Sequence, residues 1–302
     1  MNMRNETLGF VGLGAMGQRL ARRLLSHGFK VVVFDRTRTK AEALAADGAI
    51  TAPDLSELAA KSNLVMSCLS DDAAVLSAYD GPRGLMASMK PGSTVIEMST
   101  ILPETSQALN QLGQTRGVEV LDVAISGSTP AAEQGALTLL GGGDQRVFES
   151  CKPIFEVLAR HYFYLGPSGS GTTMKLVVNT LLGVNMQAIA EAVAFGEKAG
   201  LDRRLLFEVL AQTAVVAPAH QGKLPRAEHR DYSPQFPLRL MNKDFRLILD
   251  KAARLYAPMP ATAAAFQINV ARAAKSSEED FSSVIDEMEK SAAIDRNQTK
   301  AG

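Results

Sequence analysis

The chain has 302 residues, of which 46% are hydrophobic, and its formal net charge at pH 7 is zero. This length predicts about two domains of roughly 150 residues, each able to bury a large core. Because the charges balance, no global field favours nucleic acid or an anionic membrane, and we expect neither as a partner. Cys68 and Cys151 fall in predicted core elements rather than in spaced pairs, which indicates a reducing compartment and a cytoplasmic location.

A strand, a glycine-rich turn, a helix and a second strand open the chain. The apolar strand Thr7–Val11 runs directly into a GxGxxG turn, and the β-branched strand Lys30–Phe34 ends at Asp35. In such a unit the first glycine makes the tight turn, the second lets the backbone approach a pyrophosphate, and the third lets the helix pack on the strand. The unit predicts a dinucleotide site, whose turn residues are Gly12, Leu13, Gly14, Ala15, Met16 and Gly17.

The residues after the second strand bear on which dinucleotide binds. Asp35 can accept hydrogen bonds from a ribose 2′-hydroxyl and would repel a 2′-phosphate, which favours NAD. Cationic and hydroxyl side chains follow directly and could instead hold the 2′-phosphate of NADP; they are Arg36, Thr37, Arg38 and Lys40. The sequence leaves NAD and NADP open, with a slight preference for NAD because of the carboxylate.

Strands and helices continue to alternate, which predicts a doubly wound Rossmann-type domain over residues 1–167. Leu69 and Thr100 follow two of the strands at the sheet edge where ligands bind, so both are candidate cofactor contacts, Thr100 at the nicotinamide ribose. A helix cap before Pro103 is an equal alternative for Thr100. One helix is expected over Asp144–Leu158. The further strands are expected at Leu64–Cys68, Thr94–Met98, Val118–Asp122, Ala136–Gly141 and His161–Leu165.

A loop of small residues follows the strand that is expected to end at Asp122. Ser126, Gly127 and Ser128 offer backbone N–H groups and hydroxyls at the same edge of the sheet. Such a loop can bind a carboxylate without a full positive charge. We therefore expect a small molecule that carries a carboxylate as the substrate.

The segment from Ser168 to Gly200 predicts one long helix with apolar residues on nearly every side, which is typical of a helix surrounded by other elements. Lys175 and Asn179 are four residues apart within it and lie on one face. A simple interpretation of Lys175 is an ammonium group that reaches solvent at the helix start. A proton donor and acceptor for catalysis is the alternative, and the upstream dinucleotide site favours it.

After Gly200 the pattern is helical, which predicts an all-α domain over residues 168–302, including the long helix, for substrate binding and oligomerisation. The charged run Lys275–Asp280 is expected to be a solvated loop with capping residues, and residues 293–302 to be a frayed end. The rest of this domain is too small to cover every side of so long an apolar helix, so we expect a second subunit to cover part of it, in a homodimer or homotetramer. Helix starts are expected near Asp202, Pro237, Pro260 and Asp280.

Four segments resemble one enzyme family in order and spacing: GFVGLGAMG (9–17), DVAISGSTPAAEQGALTLLGGG (122–143), GSGTTMKLVVN (169–179) and FPLRLMNKD (236–244). The family is that of the β-hydroxyacid dehydrogenases, which includes 3-hydroxyisobutyrate dehydrogenase and tartronate semialdehyde reductase. The resemblance implies hydride transfer between NAD(P) and a small β-hydroxy acid or its semialdehyde.

The same resemblance implies roles for individual residues. Lys175 matches the general acid/base of the family, and Asn179 matches an asparagine that helps to hold the substrate. Residues 126–128 match the loop that binds the substrate carboxylate, and Lys243 matches a lysine that reaches the cofactor. The chain departs from the family at Ala124, where proline is usual, and at Ser128, where glycine is usual. Both departures bear on the shape of the substrate pocket.

Two other interpretations remain open. One is an imine-reducing enzyme on the same scaffold, although such relatives generally replace the lysine that is present here as Lys175. The other is a dinucleotide-binding regulator without turnover, which would need neither Lys175 nor Asn179. The four histidines show no metal-ligand spacing, and no serine lies in a nucleophile-elbow motif, so we expect neither a metal site nor a hydrolase.

Overall fold

The computed structural model describes residues 6–294, and the chain divides between Leu176 and Val177 into two compact units. The first unit is of the Rossmann type and is built on an eight-stranded sheet. The second unit is helical, and the long helix Ser170–Lys198 contributes residues to both. The predicted fold class, a doubly wound Rossmann-type domain followed by an all-α domain with a long joining helix, is confirmed.

The sheet has the strand order β3-β2-β1-β4-β5-β6-β7-β8. All neighbouring pairs are parallel except β6 and β7. The order reverses at β1, which places a ligand crevice at the carboxyl ends of β1 and β4. The strands are β1 Thr7–Val11, β2 Lys30–Phe34, β3 Ile50–Thr51, β4 Leu64–Ser67, β5 Thr94–Glu97, β6 Glu119–Ser126, β7 Leu137–Gly142 and β8 Ala159–Tyr164.

The central strands are apolar along their length because both faces of the sheet are covered. Phe10 and Val33 point into one core, whereas Val11, Val32 and Val65 point into the other. These side chains are at most 3% exposed, and full burial of each contributes about 1.5–3 kcal/mol. The two cores fix the strand ends from which the site residues project.

Helices cover the sheet, and several begin at an aspartate. The carboxylates of Asp54, Asp71 and Asp144 accept backbone N–H hydrogen bonds as N-caps of α3, α4 and α8. The helices of this unit are α1 Gly17–Ser26, α2 Arg38–Ala45, α3 Leu55–Lys61, α4 Asp72–Tyr79, α5 Leu85–Ser88, α6 Pro103–Gln114, α7 Thr129–Gln134, α8 Gln145–Ser150 and α9 Lys152–Leu158.

Two expectations for this unit are wrong. The single helix expected over Asp144–Leu158 is broken at Cys151, because Pro153 lies in the first turn of α9 and cannot continue α8. Strand β6 runs on to Ser126 instead of ending at Asp122, because residues 122–126 pair with β7.

The long helix, α10 (Ser170–Lys198), is not packed all round as expected. Val177, Leu181 and Phe195 are 53%, 60% and 76% exposed, so the other elements within residues 6–294 leave this apolar face uncovered. By length and hydropathy alone α10 could span a membrane, yet 44% of its most apolar stretch is buried within the folded chain.

Residues 177–294 contain no strand, only an isolated β-bridge between Pro237 and Asp280. The run Lys275–Asp280 is not simply solvated, because Asp280 is 2% exposed and pairs with Lys223. Of the expected frayed end, residues 295–302 lie outside the described residues. The helices here are α11 Arg203–Gln212, α12 Pro218–Gln221, α13 Leu224–Glu228, α14 Leu238–Arg254, α15 Pro260–Ala273, a 3-10 turn Phe281–Ser283 and α16 Val284–Ser291.

Candidate active site

The GxGxxG turn joins β1 to α1 with the backbone geometry that a dinucleotide needs. Gly12 has a φ of +89°, and a Cβ there would lie 2.4 Å from the Cys68 carbonyl oxygen. A Cβ on Gly17 would lie 1.9 Å from the Gly12 carbonyl oxygen, so α1 is too close for a larger residue. Apart from its neighbours in the chain, no atom of the described residues lies within 4 Å of a Cβ placed on Gly14. Packing does not explain that glycine, and its exposed backbone fits a bound pyrophosphate.

The other turn residues leave the start of α1 open to an anion. Leu13 is fully buried and anchors the turn, whereas Ala15 is exposed. Met16 is the N-cap of α1 and makes no side-chain capping hydrogen bond. The N–H groups at the start of a helix attract phosphate, so these residues fit the diphosphate of NAD or NADP.

Asp35 ties the turn to the end of β2. Its Oδ2 accepts a hydrogen bond from Leu13 N at 2.8 Å, and its Oδ1 accepts one from Thr37 N at 2.8 Å. Lys40 Nζ lies 3.7 Å from Oδ1. Arg36 and Thr37 are exposed beside this carboxylate. The structure therefore places Asp35 and Lys40 together at the end of β2, where the adenosine ribose is expected, whereas Arg38 pairs with Glu42.

Two neighbouring loops at the carboxyl ends of β4 and β5 are joined by side chains. Leu69 N donates to Ser99 Oγ at 2.7 Å, and Leu102 N donates to Asp72 Oδ1 at 2.9 Å. Thr100 directly follows Ser99 in the sequence and is half-buried. The alternative that Thr100 caps α6 is wrong, because Leu102 occupies the N-cap position.

A buried acid, Glu97, lies beneath these loops. Its Oε1 accepts a hydrogen bond from Ser99 N at 2.7 Å, and its Oε2 accepts one from Ser67 Oγ. The Tyr79 hydroxyl lies 2.5 Å from the same Ser67 Oγ. Burial raises the pKa of Glu97 to about 7, and the hydrogen bonds from Ser67 and Ser99 oppose that rise. The acid holds Ser99, which in turn holds Leu69.

The expected substrate loop begins within β6 and is accessible. Ser126 is the last residue of the strand, pairs with Thr138 and is half-buried. Gly127 has a φ of +140°, which favours glycine, and Ser128 is the exposed N-cap of α7 without a side-chain capping bond. Their N–H groups and hydroxyls suit a carboxylate.

The start of α10 is fastened to β6 through Asp122. Asp122 Oδ1 accepts a hydrogen bond from Gly169 N at 2.8 Å, and Oδ2 accepts one from Thr172 N at 3.0 Å. A Cβ on Gly171 would lie 2.3 Å from the Leu140 carbonyl oxygen, so the helix presses directly on the sheet. Lys175 is half-buried one turn later.

Asn179 and Lys243 meet at one carboxylate in the helical unit. Asn179 is 1% exposed, and its Nδ2 donates to Asp244 Oδ2 at 2.6 Å. Lys243 Nζ lies 3.2 Å from Asp244 Oδ1. The buried Asn179 Oδ1 has no hydrogen-bond partner among residues 6–294, and an unpaired buried oxygen of this kind is uncommon.

Sequence reasoning missed three acids that hold the candidate residues: Glu97, Asp122 and Asp244. Glu97 and Asp122 stand in otherwise apolar strands, and an ionisable side chain in such a run needs a partner or a task. That signal was present in the sequence. Asp244 stands next to Lys243, and only the pairing of α14 with α10 identifies Asn179 as its partner.

Two family models match nearly all of the chain. The NAD-binding domain of 6-phosphogluconate dehydrogenase matches residues 7–166. The NAD-binding domain of NADP-dependent 3-hydroxyisobutyrate dehydrogenase matches residues 169–288. The first match contains the dinucleotide turn found at Gly12–Gly17.

Named relatives and solved structures indicate the same family as the family models. Glyoxylate/succinic semialdehyde reductase 1 of Arabidopsis thaliana is 36% identical over 280 residues, which is 92% of this chain and 97% of the relative. The crystal structure of 3-hydroxyisobutyrate dehydrogenase from Salmonella typhimurium superimposes with a TM-score of 0.86 at 27% identity, covering 93% of this chain and 99% of that one.

Imine reductases are more distant. The structure of an imine reductase from Pseudomonas sp. superimposes with a TM-score of 0.61 at 25% identity, covering 94% of this chain and 99% of that one. The family resemblance seen in the sequence is confirmed by these comparisons. The chain thus belongs to the β-hydroxyacid dehydrogenase family and is an NAD(P)-dependent oxidoreductase.

Proposed function

We propose that this oxidoreductase interconverts a small β-hydroxy acid and its semialdehyde, with Lys175 as the general acid/base. The observation that carries this proposal is the double role of β6. Through Asp122 it holds the start of the helix that bears Lys175, and it ends at Ser126 in the loop expected to bind the substrate carboxylate. One strand therefore sets the spacing between the proton donor and the carboxylate loop.

The proposed chemistry needs one proton and one hydride. In reduction the Lys175 ammonium donates a proton to the carbonyl oxygen, and in oxidation its neutral amine takes the hydroxyl proton. A bound dinucleotide supplies or accepts the hydride. The N–H groups of Gly127 and Ser128 fix the substrate carboxylate and so orient the reacting carbon. The roles of Asn179 at the substrate and of Lys243 at the cofactor stay predictions.

A substrate panel tests this proposal. Glyoxylate and succinic semialdehyde come first, because the Arabidopsis relative is named for them. Consumption of NADH and NADPH is followed by absorbance. Lys175→Ala should lower kcat by about 10²–10⁴-fold, the usual contribution of a general acid/base, with little change in dinucleotide affinity. Lys198→Ala, an exposed lysine in the last turn of the same helix, is the matched control and should keep normal turnover.

The panel also separates the alternatives. Near-normal turnover by Lys175→Ala would remove this lysine from the mechanism. Turnover of cyclic imines but of no aldehyde would instead indicate an imine reductase. Dinucleotide binding without consumption on any substrate would indicate a regulator.

NAD is the proposed preferred cofactor. The Asp35 carboxylate opposes a 2′-phosphate, and two of the nearby cations already have acidic partners. Lys40 lies 3.7 Å from Asp35, and Arg38 pairs with Glu42 at 2.9 Å. Asp35→Asn should raise the NADP-to-NAD ratio of kcat/KM by about tenfold, because it removes a negative charge next to the phosphate position. Arg36→Leu should lower that ratio, and a ratio unchanged in both variants would contradict the proposal.

A homo-oligomer is proposed from the uncovered face of α10. Val177, Leu181 and Phe195 lie on one stripe of the helix with exposed Ala188 and Ala192 between them. A continuous apolar stripe of this kind is usually covered by another subunit. Sedimentation velocity should show a dimer or tetramer, and Leu181→Glu should dissociate it. A monomer for the unaltered protein would contradict the proposal.

A further inference from the structure

Asp122 is a buried carboxylate whose contacts come from neutral donors. It is 1% exposed; Oδ1 accepts from Gly169 N at 2.8 Å, and Oδ2 accepts from Thr172 N at 3.0 Å and from Thr172 Oγ1 at 3.4 Å. Since both oxygens accept hydrogen bonds, these contacts suit the ionised form, which has no proton to donate. Burial raises the pKa of the Asp122 carboxyl, and the N–H groups of Gly169 and Thr172 oppose the rise.

Among residues 6–294, the groups that donate hydrogen bonds to this carboxylate carry no positive charge. Gly142 of β7 lies against it, since a Cβ on Gly142 would be 2.7 Å from Asp122 Oδ1. Ser106 of α6 reaches the group only through Thr172, with 3.4 Å between the two hydroxyl oxygens. The negative charge is therefore balanced chiefly by backbone N–H groups at the start of α10.

These N–H groups are the ones that a helix leaves unpaired at its beginning. An N-cap side chain usually accepts from them, as Asp144 does in α8. In α10 the acceptor comes instead from a strand 47 and 50 residues away in sequence. The carboxylate therefore fixes the helix start to the sheet as well as capping it.

Lys175 follows Thr172 by three residues, about 4.5 Å along the helix axis. The positive end of a helix disfavours an ammonium group in its first turns, and a carboxylate there offsets that effect. We propose that Asp122 is a positioning residue for Lys175, which fixes the first turns of α10 on β6 and with its charge favours the ammonium form that reduction requires. This inference rests on the proposed acid/base role of Lys175.

Asp122→Asn tests both parts of the inference. An amide keeps the size of the side chain but loses the charge and turns one acceptor into a donor that faces an N–H group. We expect kcat for reduction to fall by about tenfold or more, with dinucleotide affinity within about threefold of normal. The pH at which the reductive rate falls to half should move down by about half a pH unit or more, because the ammonium form has lost a nearby negative charge.

Gly171→Ala separates position from charge. The added Cβ would lie 2.5 Å from the Asp122 carbonyl oxygen and 3.0 Å from its Oδ2, so it must push the helix start away, while the negative charge of Asp122 is kept. We expect kcat to fall with a smaller shift of the pH midpoint than in Asp122→Asn, because the negative charge is still present. Asp144→Asn is the matched control, because it removes a capping aspartate from α8, which carries no candidate site residue; kcat and the pH midpoint should both stay normal.

The outcomes distinguish this inference from the proposed function. If Lys175→Ala is inactive but Asp122→Asn keeps the normal pH midpoint, the inference is overturned and the function stands. Normal kcat and pH midpoint in Gly171→Ala would overturn the positioning part, even if Asp122→Asn did not fold. A normal rate for Lys175→Ala would overturn the proposed function itself.

Discussion

The buried carboxylates of the two units differ in whether a cation pairs with them. In the α/β unit, Glu97 and Asp122 accept hydrogen bonds from hydroxyls and backbone N–H groups. In the helical unit, Glu289 pairs with Arg203 and Arg230. The first arrangement holds loops and a helix start; the second joins helices that are far apart in sequence.

This difference follows from which parts each unit must hold together: backbone segments at the ligand edge in the α/β unit, and packed helices in the helical unit. A ligand edge needs backbone segments held at fixed distances, and a carboxylate that accepts from backbone N–H groups does this directly. The N–H groups in the middle of a helix are already hydrogen-bonded within the helix. Buried ion pairs between side chains therefore hold neighbouring helices together instead. The helical unit contains two more such pairs, Arg272 with Asp286 and Lys223 with Asp280. Asp280 combines both arrangements, because it also accepts hydrogen bonds from the backbone N–H groups of Gln235 and Phe236.

The largest effect on stability is expected from breaking an ion pair of the helical unit. Arg203 is 5% exposed; it pairs with Glu197 at 2.8 Å and with Glu289. Arg203→Met leaves both carboxylates buried without this cation, which should lower the free energy of unfolding by about 3–5 kcal/mol. Urea denaturation followed by circular dichroism measures the loss. The exposed Arg204→Met is the control, and an equal loss in both would contradict the account.

A pH-dependent effect is expected at Glu97 in the α/β unit. Its pKa is raised from 4.5 to about 7, so the folded state binds a proton more tightly than the unfolded state. The protonated Glu97 therefore contributes up to about 3 kcal/mol to the free energy of unfolding below about pH 4.5, and this contribution is lost as pH rises towards 7. Glu97→Gln should flatten that part of the stability curve. Exposed Glu119→Gln should leave it unchanged, and a wild-type curve for Glu97→Gln would refute the assignment.

An effect of similar size and opposite sign is expected at His220 in the helical unit. His220 is 1% exposed, neither ring nitrogen has a hydrogen-bond partner among the described residues, and burial lowers its pKa to about 4. Stability should therefore be lost as pH falls from about 6.5 to 4, by about 3 kcal/mol. His220→Leu should remove that loss at no hydrogen-bonding cost. Exposed His229→Leu is the control, and an unchanged acid limb in His220→Leu would contradict the prediction.

Local patterns predicted those parts of the fold that depend on local chemistry. The GxGxxG turn needs glycine where a Cβ would strike a neighbouring carbonyl, and Gly12 and Gly17 show this need. Strand β3 was missed because Ile50–Thr51 is short and exposed, with no apolar alternation to detect. The antiparallel pairing of β7 follows from a connection of only residues 127–136, which is short for a parallel crossover.

The site was predicted as a set of residues but not as a set of contacts. Asp35 and Lys175 stand in recognisable motifs, whereas the partners that hold the candidate residues are distant in sequence. Asn179 and Asp244 are 65 residues apart, and Ser67 and Glu97 are 30 apart. Periodicity carries no information at such separations, so only the folded chain identifies these pairs.

Chemical rescue tests the central claim, that Lys175 transfers the proton, most directly. Lys175→Ala is assayed for semialdehyde reduction with added methylamine, ethylamine and similar primary amines at fixed pH. The account predicts very slow turnover without amine and a rate that rises with amine concentration and depends on amine basicity. Turnover by Lys175→Ala within about tenfold of the normal rate without any amine would contradict it, because a general acid/base contributes at least about 10²-fold.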